Sequence, residues 1–140
     1  MRTAIRNGKI ITPQTILHDQ ALIINEQTIE GFGSDRPSLD TSVIDAQGCY
    51  VVPGFIDVHV HGGDGHDTMD ATPAAIHGMA AFYAKHGVTS YYPTTMTMPA
   101  PAIQAALENV EKCPQPSKGA QHLGVHVEGP YLNLQYKGAQ

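Results

Sequence analysis

The spacing of apolar positions changes at Pro53-Gly54. Before this point the apolar residues form short runs, at 10–11, 21–24 and 43–44, separated by turn-forming residues such as Asn7-Gly8. Strands this short and this close in sequence predict a meander in a small all-β sandwich over residues 1–52, with no residue in it that suggests chemistry. Residues 53–140 are then expected to form a second, different domain.

After Gly54 strand patterns alternate with helix patterns. Residues 55–60 form a nearly continuous apolar run, as in strands covered on both faces, and residues 88–92 and roughly 121–127 read as two further strands. Between the first and second of these strands the sequence predicts a helix, because Thr72-Pro73 is typical of a helix N-terminus. Apolar residues follow at helical spacing; they are Ile76, Met79, Ala80 and Tyr83. A second helix should begin near residue 99 or 100.

This β-α-β-α-β order predicts an α/β fold with a parallel sheet. The sheet could belong to a (β/α) barrel or to a doubly wound fold. No G-x-G-x-x-G opens a helix, so the dinucleotide-binding form of the doubly wound fold is disfavoured. The chain supplies three such strands, whereas a barrel needs eight, so we expect an incomplete barrel or a small open sheet.

The pair His59-Val60-His61 lies at the end of the first of these strands. Residues two apart on a strand point to the same face, about 7 Å apart, so both imidazoles could reach one metal ion. The same alternation places Glu128 at the end of the third strand. In a barrel these three side chains would meet at the mouth, where two imidazoles and a carboxylate suit zinc or a similar divalent metal.

Other readings of these residues stay open. His-x-His can arise by chance, and the third ligand could instead be an acid of the following loop, Asp64 or Asp67. Asp57 and His126 lie one layer deeper on the same strands. They could support the ligands by hydrogen bonding or simply fill the core.

Charge and composition exclude some classes of function. The net charge of −5 and only 8 Lys plus Arg residues argue against nucleic acid as a partner. No apolar run approaches 18 residues and the N-terminus does not resemble a signal peptide, so we expect a cytoplasmic protein that does not cross or bind a membrane. Cys49 and Cys113 match no ligand spacing and are expected to be reduced.

The sequence Pro-Gly-Phe-Ile-Asp-Val-His-Val-His-Gly at residues 53–62 resembles the first-strand signature of the amidohydrolase superfamily. Residues 87–94 look like the second strand of that superfamily. The run His-Val-Glu-Gly-Pro at 126–130 and residues 137–140 are similar to the N-acetylglucosamine-6-phosphate deacetylase family within it. The resemblance implies the first three βα units of a (β/α)8 barrel of the TIM type.

It also implies a metal-dependent hydrolase that converts N-acetylglucosamine 6-phosphate to glucosamine 6-phosphate and acetate, with one or two ions of zinc or iron. Glu128 matches the family's metal-binding glutamate, and His59 and His61 match a pair that some members use for a second metal. Ala139 matches a position whose backbone contacts the sugar. Relatives commonly pair as homodimers.

The resemblance assigns no catalytic residue to this chain. The family's catalytic aspartate and two further metal-binding histidines belong to later strands, beyond residue 140, so the 140-residue chain alone is expected to be inactive. Two alternatives stay open: another amidohydrolase acting on a cyclic amide or an N-acyl amino acid, or a metal-binding fragment without catalysis.

Overall fold

In the computed structural model, which describes residues 1–33 and 41–138, the chain separates after Pro53 into two units. In the first unit, Met1–Pro53, the regular elements of the described residues are all short strands. They are β1 (Arg2–Arg6), β2 (Lys9–Ile11), β3 (Ile16–Leu17), β4 (Ala21–Asn25), β5 (Thr28–Gly33), β6 (Thr41–Asp45) and β7 (Tyr50–Val51).

These strands form two sheets, in the orders β5-β4-β1-β6 and β3-β2-β7. The predicted meander is wrong, because β2 and β3 leave the first sheet, and β1 then pairs in parallel with the distant β6. Apolar side chains from both sheets, among them Ile5, Ile10, Leu22 and Val51, line one cavity of about 270 Å³.

The second unit, Gly54–Gln140, carries the predicted parallel sheet. Its main elements are β8 (Phe55–Val60), α1 (Pro73–Lys85), β11 (Val88–Pro93), α2 (Ala100–Lys112) and β12 (Gln121–His122). The strands lie in the order β12-β11-β8, with both pairings parallel, which confirms the β-α-β-α-β interpretation. A small hairpin of β9 (Gly62–Gly63) and β10 (His66–Asp67) and a 3₁₀ turn (Thr68–Asp70) connect β8 to α1.

Helix α1 forms as predicted from its ends and its spacing. The Thr72 hydroxyl accepts a hydrogen bond from the amide of Ala75 at 3.2 Å, and Pro73 occupies the first turn. The residues expected on one face, Ile76, Met79, Ala80 and Tyr83, are all buried. They form the core of this unit together with Tyr91, Val110, Cys113 and Ala120.

Two expectations about the strands are wrong. The third strand ends at His122 rather than near residue 127, because Gly124 takes a φ of +149° and interrupts the ladder before His126 pairs with Thr94. Strand β8 is not covered on both faces: Ile56 and Val58 are 59% and 63% exposed, and only Val60 packs on the core. β8 lies at the edge of the sheet, so only β11 pairs with it.

Both cysteines are free thiols, as expected, with Cys49 exposed and Cys113 buried. In the part of the chain that the structure describes, neither helix is long and apolar enough to span a membrane.

Candidate metal centre

His59 and His61 are held where β8 ends and β11 runs beside it. The amide of Val60, between them, donates to the Thr94 hydroxyl at 2.9 Å, and the amide of Thr94 donates to the Val60 carbonyl at 2.8 Å. Both backbone groups of Val60, the residue between the two histidines, are therefore held by Thr94, which follows β11.

The ring of His61 is oriented by its backbone neighbours. Its Nδ1 lies 3.2 Å from the Thr94 carbonyl oxygen, which can only accept, so in the neutral ring Nδ1 carries the proton and Nε2 has the lone pair. The His61 carbonyl in turn accepts from the amide and the hydroxyl of Thr68, at 2.8 and 2.9 Å. The tautomer with the proton on Nδ1 is the one that a metal ligand bound through Nε2 requires.

Glu128 reaches the same place from the segment after β12. The Thr95 hydroxyl accepts from the Glu128 amide at 3.0 Å and donates to the Glu128 carbonyl at 3.1 Å. The amide of Thr95 donates to the carbonyl of His126 at 3.1 Å. These bonds fix the backbone of this segment beyond the regular ladder.

The three side chains converge on one point. His59 Nε2 lies 3.3 Å from His61 Nε2 and 2.8 Å from Glu128 Oε2, and His61 Nε2 lies 3.4 Å from the same oxygen. Ligands about 2.0–2.1 Å from a tetrahedral zinc ion are roughly 3.3 Å apart. The two separations from His61 Nε2 match this value, and the shorter 2.8 Å separation is a direct hydrogen bond between His59 and Glu128. The donor set is the one predicted from the sequence, and among the described residues it is the only such group found.

The group lies at the surface of this unit rather than in its core. The side chains of His59, His61 and Glu128 are 49%, 33% and 26% exposed in this chain.

Asp57 and His126 contact the strand that carries His59 rather than the point of convergence. Asp57 Oδ1 accepts from the His59 amide at 3.1 Å. His126 Nδ1 lies 3.0 Å from the Val58 carbonyl, and its ring packs edge-on against that of His59 with centroids 4.5 Å apart. Both contacts restrict His59, one through its backbone and one through its ring.

The acids and histidine of the following loop have structural contacts. Asp67 caps the 3₁₀ turn by accepting from the Met69 amide at 2.8 Å. The Asp70 carboxylate accepts a hydrogen bond from the Asp67 amide. The His66 ring fills the space over Gly78, where a Cβ would lie 2.2 Å from it. None of these residues, nor Asp64, belongs to the metal-ligating group found in the described chain.

The sequence interpretation missed the threonines that hold the ligands. Thr68, Thr94 and Thr95 are fully buried, and each hydroxyl bonds the backbone of a ligand residue or its neighbour. The signal that could have found two of them is the pair Thr94-Thr95 directly after a predicted strand end. Ala139, expected to contact substrate, lies outside the described residues.

A family profile described as "Amidohydrolase family" matches residues 42–125, which is more than half of the chain. The chain therefore belongs to the amidohydrolase family, as the strand signatures indicated. It is 36% identical over 140 residues to N-acetylgalactosamine-6-phosphate deacetylase of Escherichia coli O157:H7, a match that covers 99% of the chain and 36% of that protein.

Two further relatives support the same family. N-acetylglucosamine-6-phosphate deacetylase of Vibrio furnissii is 44% identical over 90 residues, covering 64% of this chain and 23% of the relative. The crystal structure of N-acetylglucosamine-6-phosphate deacetylase from Pasteurella multocida matches with a TM-score of 0.89 and 31% identity, over 99% of this chain and 37% of that one. The chain thus spans between about a quarter and a little over a third of the length of these relatives.

Proposed function

We propose that the complete protein removes the acetyl group of N-acetylglucosamine 6-phosphate, giving glucosamine 6-phosphate and acetate. The observation that carries the proposal is the convergence of His59, His61 and Glu128 within 4.8 Å at one edge of the parallel sheet of an amidohydrolase chain. The three relatives described above are named as deacetylases of N-acetylated amino-sugar phosphates, and these names indicate the substrate class.

We further propose that β8, β11 and β12 are the first three strands of a (β/α)8 barrel of the TIM type. Support comes from their parallel order and from the ligands, which follow the carboxyl ends of the strands, where barrels of this type place their active sites. In a closed barrel a further strand would pair with the free edge of β8, and helices of the outer ring would cover its exposed apolar side chains.

The three side chains are proposed to hold zinc or iron, as one ion or as part of a site for two. When bound, such an ion would polarise the acetamide carbonyl and lower the pKa of water at the site. His61 contributes by its fixed tautomer, and Glu128 by its negative charge. Asp57 and His126 are proposed to hold His59 in register through the contacts described above.

The hydrolysis adds one water molecule across the amide bond: the carbonyl carbon gains the hydroxyl, and the leaving nitrogen gains a proton. A general acid must deliver that proton. No residue between 1 and 138 is proposed for this role. The cytoplasmic location and the homodimer remain predictions.

A second candidate substrate is N-acetylgalactosamine 6-phosphate, which differs from the first only in the configuration at C4. The specific observation in its favour is the 36% identity, over 140 residues, to a deacetylase named for that sugar. The proposed metal ligands serve the reaction at the acetamide, which both sugars carry, so the geometry of these residues does not distinguish the two sugars.

The test uses the full-length protein, purified with its metal content measured. We expect acetate release from one or both 6-phosphorylated N-acetyl sugars, and much slower release from unphosphorylated N-acetylglucosamine. The Glu128→Gln variant should lose both bound metal and activity. Equal turnover with and without the phosphate, or faster hydrolysis of a hydantoin or an N-acyl amino acid, would contradict the proposed substrate class.

A further inference from the structure

We propose that Thr95 is a positioning residue of the metal centre, whose hydroxyl sets the direction of the Glu128 carboxylate. This inference rests on the proposed function, because it needs a metal at His59, His61 and Glu128. It assigns a role to a residue that touches neither the ion nor the substrate.

The contacts of the Thr95 hydroxyl are unusual in having both ends on one residue. It accepts from the Glu128 amide at 3.0 Å and donates to the Glu128 carbonyl at 3.1 Å. With the bond from the Thr95 amide to the His126 carbonyl, three hydrogen bonds tie Thr95 to residues 126–128. Regular pairing ends at His122 and resumes as an isolated bridge between Thr94 and His126, so the two hydroxyl bonds extend this attachment past the bridge to Glu128.

A purely packing role does not explain this arrangement. Thr95 is fully buried, and valine has almost the same shape without a polar group to satisfy. The hydroxyl satisfies its donor and its acceptor with Glu128 alone, so its bonding is specific to the backbone of the ligand residue. Loss of the hydroxyl would leave both backbone groups of Glu128 without this partner.

Thr94 has the corresponding position on the other half of the centre. Its hydroxyl accepts from the Val60 amide, and its carbonyl fixes the tautomer of His61. Two consecutive residues after β11 therefore hold the two halves of the centre: Thr94 holds the histidine segment, and Thr95 holds Glu128. The end of the middle strand acts as a template on which His61 and Glu128 are brought within 3.4 Å.

The experiment compares four forms of the full-length protein: wild type, Thr95→Val, Thr95→Ser and Thr89→Val. Thr95→Val removes the hydroxyl at constant shape, and Thr95→Ser keeps it. Thr89→Val makes the same chemical change at the other end of β11, on an exposed residue whose hydroxyl lies 3.5 Å from the Phe55 carbonyl. The measurement is the dissociation constant for Zn²⁺ by chelator competition, with the visible absorption of the Co²⁺ form as a readout of ligand geometry.

Partners that orient metal ligands typically change metal affinity by about 10–100-fold when removed, and we expect a loss of this size for Thr95→Val. Thr95→Ser and Thr89→Val should bind close to wild type, and only Thr95→Val should alter the Co²⁺ spectrum. Wild-type affinity in a folded Thr95→Val protein would overturn the positioning role and leave the proposed metal site intact. A wild-type protein that binds neither ion would overturn both.

Thr95→Ala provides a second variant without the hydroxyl, in case the valine variant does not fold. If it folds, it should show the same loss of affinity. If neither hydroxyl-free variant folds, Thr95 is required for folding, and a specific positioning role is refuted.

Discussion

Gly129 directly follows Glu128, a proposed metal ligand, and its substitution by alanine should be costly for two separate reasons. Its φ is +79°, a left-handed conformation that costs a residue with a Cβ about 1–2 kcal/mol. The added methyl group would also lie 2.5 Å from Thr97 Oγ1 and 3.0 Å from Thr97 Cα. A backbone atom cannot rotate away, so we expect a further 1–3 kcal/mol or so, as for other overpacked sites.

The chain offers a matched control for the first cost. Gly65, in the turn between β9 and β10, has a φ of +80°, and a Cβ built there meets no atom within 4 Å. Gly65→Ala therefore has a comparable positive-φ strain without the steric contact. Because residue 129 also precedes Pro130, the difference between the two variants measures the contact with Thr97 together with the restriction imposed by the following proline.

The assay is urea unfolding of the full-length protein without metal, followed by Zn²⁺ titration of each variant. Gly65→Ala should lower the free energy of unfolding by about 1–2 kcal/mol, and Gly129→Ala by about 2–5 kcal/mol. Since Gly129 must move away from Thr97, Glu128 should move with it, and only Gly129→Ala should weaken zinc binding. Equal destabilisation by both variants would refute the steric argument.

The parts of the fold that the sequence predicted correctly depend on neighbours in the chain. The hydroxyl of Thr72 and the ring of Pro73 define the start of α1 locally, and the spacing of Ile76 and Met79 defines its buried face. The convergence of the predicted ligand residues could be anticipated for a related reason. In a parallel sheet, residues at successive strand ends meet at one edge, so His61 and Glu128 could be brought together without knowing their contacts.

The features that were missed depend on distant parts of the molecule. Elements packed on the sheet decide whether the faces of β8 are covered, and the apolar residues of β8 do not reveal that it is an edge strand in this chain. The third strand was overextended because Val125 and Val127 fit strand alternation, whereas the φ of Gly124 breaks the pairing. Thr94 and Thr95 are small, common residues, and their importance comes from bonds to residues more than 30 positions away.

Three further predictions test the ligands and the core. Glu128→Gln keeps the size of the side chain but removes its charge, so zinc affinity measured by chelator competition should fall at least as far as the roughly 10–100-fold caused by losing a supporting partner; wild-type affinity would remove Glu128 from the centre. Tyr91→Phe removes a buried hydroxyl that donates to the Ile76 carbonyl at 2.9 Å, and should lower the free energy of unfolding by about 0.5–1.5 kcal/mol in urea; an unchanged value would show that this bond contributes nothing. Burial is the main cause that lowers the pKa of His122 below its usual 6.5. As the pH falls below 6.5, the unfolded chain therefore takes up a proton on this ring before the folded protein does. Its contribution to stability is therefore present above pH 6.5 and is lost as the pH falls from there through the depressed pKa. Replacing it in His122→Gln should flatten the fall in unfolding free energy over that acidic interval, relative to wild type, and an equally steep fall in the variant would assign the pH dependence to other groups.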